Sequence, residues 1–109
     1  MIYLGNAFSF SMLPASGVSL HVDPLSTEQV REIITGQHGY VSCVGHESTA
    51  AVFSEQLGLQ VSAARISVSL GVGDAILVGQ YIGPRLPEGA TSLPPGAEIR
   101  WVRAVVRHA

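Results

Sequence analysis

The stretch Tyr40-Val41-Ser42-Cys43-Val44-Gly45-His46-Glu47-Ser48-Thr49-Ala50 changes pattern half-way along. Residues 40–44 form a short, mostly apolar run suited to a strand. From Ala50 to Leu57, Ala50, Phe53 and Leu57 recur at helical spacing, and Gly58 stands where such a helix ends. Gly45 is the turn between them. A strand that hands over to a helix is a unit of α/β and α+β domains. The start of the helix presents free backbone N–H groups and the positive end of its dipole. His46 falls at that spot, and the hydroxyls of Ser48 and Thr49 follow it. A histidine beside an anion-binding helix start is suited to giving a proton to a phosphate ester. A plainer reading of the same residues makes Ser48 or Glu47 a helix cap and His46 a surface loop side chain.

Upstream, Met1 to Leu4 reads as a strand that Gly5-Asn6-Ala7 ends. Ser9 can cap a short turn, Phe10 to Leu13, before Pro14. The Asn6 to Ser11 backbone is then either free to meet a ligand or an ordinary capped loop. Val18 to Val22 alternates and predicts a strand with His21 turned outward. His21 and Asp23 lack a third ligand at metal-binding spacing, so no metal site is assigned. Ser26 and Gln29 form a capping box, Val30, Ile33 and Ile34 an apolar stripe, and Gly36 the stop. Glu28, Arg31 and Glu32 are expected on the solvated face. Cys43, inside its strand, is expected to be a small core residue rather than a nucleophile paired with His46.

Downstream, Arg65 to Leu70 alternates as a strand should, and Gly71-Val72-Gly73-Asp74 leads into a second strand, Ala75 to Ile82. The two are expected to pair as a hairpin. The glycine spacing is not that of a phosphate loop, and no lysine follows. Residues 83–96 are rich in proline and glycine. There Arg85-Leu86-Pro87-Glu88-Gly89 places an arginine and a carboxylate three residues apart on a loop that follows a strand. Glu98 to Val106 is the last strand, with Trp101 as its anchor and Arg100, Arg103 and Arg107 as edge or dimer-surface charges. The expected architecture is one α/β (α+β) domain spanning residues 1–109.

Composition narrows the partners. Apolar residues make up 47% of the 109, and charged residues only 13%, against about 25% in ordinary soluble domains. A surface poor in charge suits a homodimer. The net charge of −2 gives no basic field for duplex nucleic acid, although a small anion held by a few local groups remains possible. A single cysteine forms no intrachain disulfide, which fits a reducing cytoplasm. No signal peptide is expected, and no apolar run approaches the ~20 residues of a membrane span.

Three stretches together carry a resemblance: Asn6-Ala7-Phe8-Ser9, Gly45-His46-Glu47-Ser48-Thr49 and Arg85-Leu86-Pro87-Glu88-Gly89. In this order and at these separations the chain resembles the DUF1874 or B116-like proteins, a group that includes viral anti-CRISPR ring nucleases. The segment from Gln80 to Gly89 is more similar to the bacterial and phage branch. The resemblance implies a homodimer, each chain a mixed sheet of about five strands flanked by helices, that binds cyclic tetra-adenylate across its interface and cuts it, without metal or other cofactor, into short linear oligoadenylates. That activity silences type III CRISPR signalling, in the host cytoplasm if the chain is viral. By resemblance His46 is catalytic and Glu88 assists. Asn6, Ala7, Phe8, Ser9, Ser11, Ser48, Thr49, Arg65, Gln80 and Arg85 match positions at or near the ligand. Pro87 stands where archaeal members commonly carry an acidic residue. The rival readings are a protein that sequesters a cyclic nucleotide without cutting it, and a viral protein-interaction module.

Overall fold

The structure is a computed structural model and describes residues 1–36 and 38–109. Five strands form one mixed sheet: β1 (Ile2–Gly5), β2 (Val18–Leu25), β3 (Val41–Ser42), β4 (Ala75–Ile82) and β5 (Glu98–His108), in the spatial order β2-β5-β4-β1-β3. β1 runs parallel to both β3 and β4, whereas β5 is antiparallel to both β4 and β2. Two α-helices, α1 (Thr27–Ile34) and α2 (Glu47–Leu57), complete the domain with a short 3-10 turn at Phe10–Met12.

Local sequence explains most of these boundaries. Ser26 and Gln29 form the capping box at the start of α1, with Gln29 N–H donating to Ser26 Oγ at 3.1 Å and Ser26 N–H to Gln29 Oε1 at 2.8 Å. Gly58 ends α2 in the left-handed region at φ 67°, where the absence of a Cβ removes the steric penalty. Ser9 caps the 3-10 turn. The strands therefore extend further than the alternation alone suggests at β2 and β5, and less far at β3.

The sheet is packed on both faces. Leu4, Leu77 and Trp101 meet Val30 and Ile34 of α1 and Phe53 and Leu57 of α2 in one core. The Phe53 and Trp101 rings meet at 4.8 Å between centroids, tilted by 56°. Gly79 lies opposite Trp101 in the β4–β5 register, and a Cβ there would come within 2.6 Å of both rings. On the other face Ile76, Ala104 and Val106 pack with Val68 and Leu70 from an irregular segment and with Met12 and Leu13 from the end of the 3-10 turn. Arg31, exposed as expected, also donates from Nε to the Leu57 carbonyl at 2.6 Å and ties the end of α1 to that of α2.

Two expectations fail. Residues 65–70 are not a strand, and β4 pairs with β1 and β5 rather than forming a hairpin with them. The cause is a lack of ladder partners. Residues 60–65 run beside residues 40–45 at a constant offset of 20, joined by Tyr40 Oη to the Gln60 carbonyl, Ser42 Oγ to the Ser62 carbonyl, Ala64 N–H to the Val44 carbonyl and Arg65 Nε to the Gly45 carbonyl. Side chains replace most of the backbone ladder there. Beyond Arg65 the chain leaves that edge, Leu70 N–H bonds to the Met12 carbonyl, and Val68 and Leu70 turn into the second core while Ile66 stays exposed. The alternation thus reports burial of Val68 and Leu70, not sheet pairing. Secondly, of the two placements expected for Arg100, Arg103 and Arg107, the edge one fails, because β5 is flanked on both sides. Arg103 holds Asp23 across the β2–β5 pair, and Arg100 pairs with Glu98.

Candidate functional site

The carboxyl ends of β1, β3 and β4 all point to one end of the domain because the three strands are parallel. Their continuations then diverge. From β1 the chain crosses to β2 at the far edge, and from β3 it enters α2 and returns on the opposite edge. In open sheets such a divergence leaves a crevice beyond the strand ends. Asn6 closes β1 and Gly45 follows β3, and Gly45 N–H donates to Asn6 Oδ1 at 3.1 Å, bridging the crevice.

His46 is the N-cap residue of α2, with extended φ and ψ of −133° and 135°, and its side chain makes no capping bond. Neither Glu47 nor Ser48 takes the cap, so that part of the plainer sequence reading fails, while His46 is an exposed side chain as that reading has it. The first intrahelical bond at this end is Ala50 N–H to the His46 carbonyl. The N–H groups of Glu47, Ser48 and Thr49 therefore have no helical acceptor. They open onto a pocket of about 1160 Å³ lined on this side by Gly45 to Thr49, Ala51 and Arg65, and opposite by residues 85–91.

The far wall is a loop fastened at two points. The Tyr81 hydroxyl donates to the Pro84 carbonyl, and Gly89 N–H donates to Ser48 Oγ at 3.0 Å. Between these anchors the loop carries Arg85 and Glu88, both exposed, toward the start of α2. Among the described residues, Arg65, Arg85, Glu47 and Glu88 form no ion pair, and no hydrogen bond joins Glu88 to His46. The pocket thus combines two guanidinium groups, an imidazole, two carboxylates, three hydroxyls (Ser48, Thr49 and Thr91) and a helix N-terminus. Arginine forks and helix-start N–H groups are donors that suit phosphate oxygens.

Of the residues singled out in the sequence, His46, Ser48, Thr49, Arg65, Arg85 and Glu88 line this pocket together. Asn6, Ala7, Phe8, Ser9, Ser11 and Gln80 do not. Asn6 lies one hydrogen bond behind it. Ala7 is exposed, and Phe8 packs on the second core and edge-on to Phe10 at 6.0 Å. Ser9 and Ser11 bond each other at 2.9 Å, and Gln80 is an exposed β4 residue opposite Arg100. Glu47 and Thr91 were not singled out. Glu47 enters the sequence reading only as a candidate cap, and Thr91 sits in a loop with no periodic signal. Burial pushes the Cys43 thiol up, and its Sγ donates to the Leu4 carbonyl at 3.4 Å, so it does not act with His46 as a nucleophile. No group of three or more histidine, cysteine, aspartate or glutamate residues with metal-binding placement occurs among the described residues. Likewise, no described helix is long and apolar enough to cross a membrane.

Comparison with known proteins agrees with this architecture. Residues 2–99 match the sequence profile of the family described as STIV B116-like. Uncharacterized protein 26 of Sulfolobus islandicus filamentous virus (isolate Iceland/Hveragerdi) is 28% identical over 89 residues, covering 82% of this chain and 74% of that protein. The solved structure of B116 from Sulfolobus turreted icosahedral virus superposes with a TM-score of 0.81 at 26% identity, over 95% of this chain and 97% of that one.

Proposed function

Given that the chain belongs to the STIV B116-like family, we propose that it is a ring nuclease that opens a cyclic oligoadenylate, cyclic tetra-adenylate by resemblance, and so counters type III CRISPR signalling. One observation carries this reading: His46 stands at an uncapped helix start, in the same pocket as Arg65, Arg85 and Glu88. A ribose 2′-hydroxyl gives up its proton to solvent water and attacks the adjacent phosphorus in line, so that a 2′,3′-cyclic phosphate forms and the P–O5′ bond breaks. His46 gives its proton to the departing 5′-oxygen, a step worth about 10²–10⁴-fold. The free N–H groups of α2 and the two arginines stabilise the charge that builds on the phosphate oxygens. The Ser48 and Thr49 region positions the ribose. The nucleophile belongs to the substrate, so the chemistry asks for no metal-bound water.

A second copy of the chain suits a ring with repeated phosphates, since each subunit offers the same groups. Exposed Phe10, Val22, Ile66 and Val72 leave apolar surface for such a contact. The test is incubation with cyclic tetra- and hexa-adenylate in excess chelator, read by chromatography, for the wild type and His46→Ala. Linear products from the wild type alone support the reading. Tight binding without product turns it into sequestration, and equal products from both proteins remove His46 from the chemistry.

A further inference from the structure

A proton donor is useful only if its backbone is held, and the residue before His46 is a glycine with no side chain to pack. It is held instead through both of its peptide groups. Gly45 N–H donates to Asn6 Oδ1 at 3.1 Å, and the Gly45 carbonyl accepts from Arg65 Nε at 2.9 Å. The two holders come from different parts of the chain, Asn6 from the end of β1 and Arg65 from the segment that tracks residues 40–45. Space does not explain the arrangement. A Cβ at Gly45 would meet only Arg65 Cγ, at 3.9 Å, and Gly45 does not adopt positive φ.

We infer that Asn6 and Arg65 form a clamp on the Gly45 peptide groups that sets the direction in which His46 leaves β3 and starts α2, and that Asn6 is a positioning residue rather than a ligand contact. The inference rests on the proposed ring-nuclease reading for its effect on rate, but the clamp itself exists without ligand. Asn6 Oδ1 is committed to an N–H donor, and the side chain lies outside the pocket lining. Arg65 has a double use: Nε holds Gly45, while its side chain also borders the pocket. A buried or half-buried peptide N–H that loses its acceptor finds another geometry or takes in water. Small displacements of a reacting group are costly in rate.

The two roles predict opposite orders for two substitutions. Asn6→Ala removes the acceptor. Asn6→Asp keeps an acceptor at the same reach but adds a negative charge. For a clamp, Asn6→Ala lowers kcat on the cyclic oligoadenylate by about 10- to 100-fold with KM little changed, and Asn6→Asp restores most of the rate. For a contact with an anionic ligand the order reverses: Asn6→Asp is the worse variant and raises KM, which overturns the proposal. Hydrogen exchange at the Gly45 amide, followed by NMR on the ligand-free protein, reads the clamp without activity. Exchange about tenfold faster in Asn6→Ala, with protection retained in Asn6→Asp, is the expected result. Unchanged exchange in Asn6→Ala overturns the clamp. If Asn6→Ala fails to fold, Asn6→Ser, whose side chain is too short to reach, makes the same comparison. Should the wild type cut no oligoadenylate, the ring-nuclease reading falls while the exchange measurement still decides the clamp.

Discussion

The two halves of the sheet are held together by different means. In the antiparallel half, β5 pairs with β2 and with β4 over eight registered positions each. In the parallel half, β1 pairs with β4 over four positions and with β3 over two. There, side chains do what ladders do elsewhere: Asn6, Ser42, Ser48 and Arg65 all bond to backbone groups of other segments. A ladder spreads its stabilisation over many interchangeable backbone groups. A side-chain strut concentrates it in one residue and leaves neighbouring N–H groups free. The candidate site lies in the second kind of region, where free backbone donors and individually replaceable side chains coexist.

That contrast can be tested by separating activity from stability. The largest effect is expected from His46→Ala, which lowers cleavage by about 10²–10⁴-fold while the melting temperature stays put, since the side chain is exposed and caps nothing. A fall in melting temperature that matches the loss of rate would erase the distinction between the halves. Next is Gly79→Ala in the antiparallel half, where the added methyl meets the Phe53 and Trp101 rings. It should destabilise by about 1–3 kcal/mol in denaturant titration and leave the rate per folded molecule unchanged. Third, Ser48→Ala removes the acceptor for Gly89 N–H. About 0.5–1.5 kcal/mol of stability and a several-fold loss of rate are expected together, because the same bond anchors the loop that carries Arg85 and Glu88. A loss of rate with no loss of stability would instead make the Ser48 hydroxyl a ligand contact.

The smallest effect concerns Asp23. Its hydrogen bonds from Arg103, Nε at 3.2 Å and Nη2 at 2.9 Å, hold its carboxyl below the ordinary 3.8. A carboxyl depressed in the folded state contributes stability that is present above 3.8 and is lost as pH falls through the lowered value. Wild type should therefore lose more stability than Asp23→Asn on acidification below 3.8, and the gap between them should hold steady from there to neutrality. Parallel curves throughout would mean that the pair contributes nothing through charge.

Legibility followed the range of the interactions. The Ser26–Gln29 capping box, the αL stop at Gly58 and the span of β4 are local matters, and each stood in the sequence as it stands in the structure. The alternation at residues 65–70 was misleading because a period of two records which side chains are buried, and burial of Val68 and Leu70 does not require a ladder. Arg103 looked like an edge charge because nothing in its neighbourhood announces Asp23, eighty positions away.

Sequence alone determined the two helices, the span of β4, the mixed α/β character and the ordered motifs around His46 and Arg85 that made a family resemblance readable. Tertiary structure alone decided that the ends of β1, β3 and β4 meet at one end of the sheet, that Asn6 reaches Gly45 across 39 positions, and that Ser48 fastens the Arg85–Glu88 loop beside the helix start. Propensities, caps and glycine turns act over a few residues and are written in order along the chain. Parallel pairing and side-chain struts join groups that the chain keeps far apart, so they exist only once the sheet has closed around its two cores.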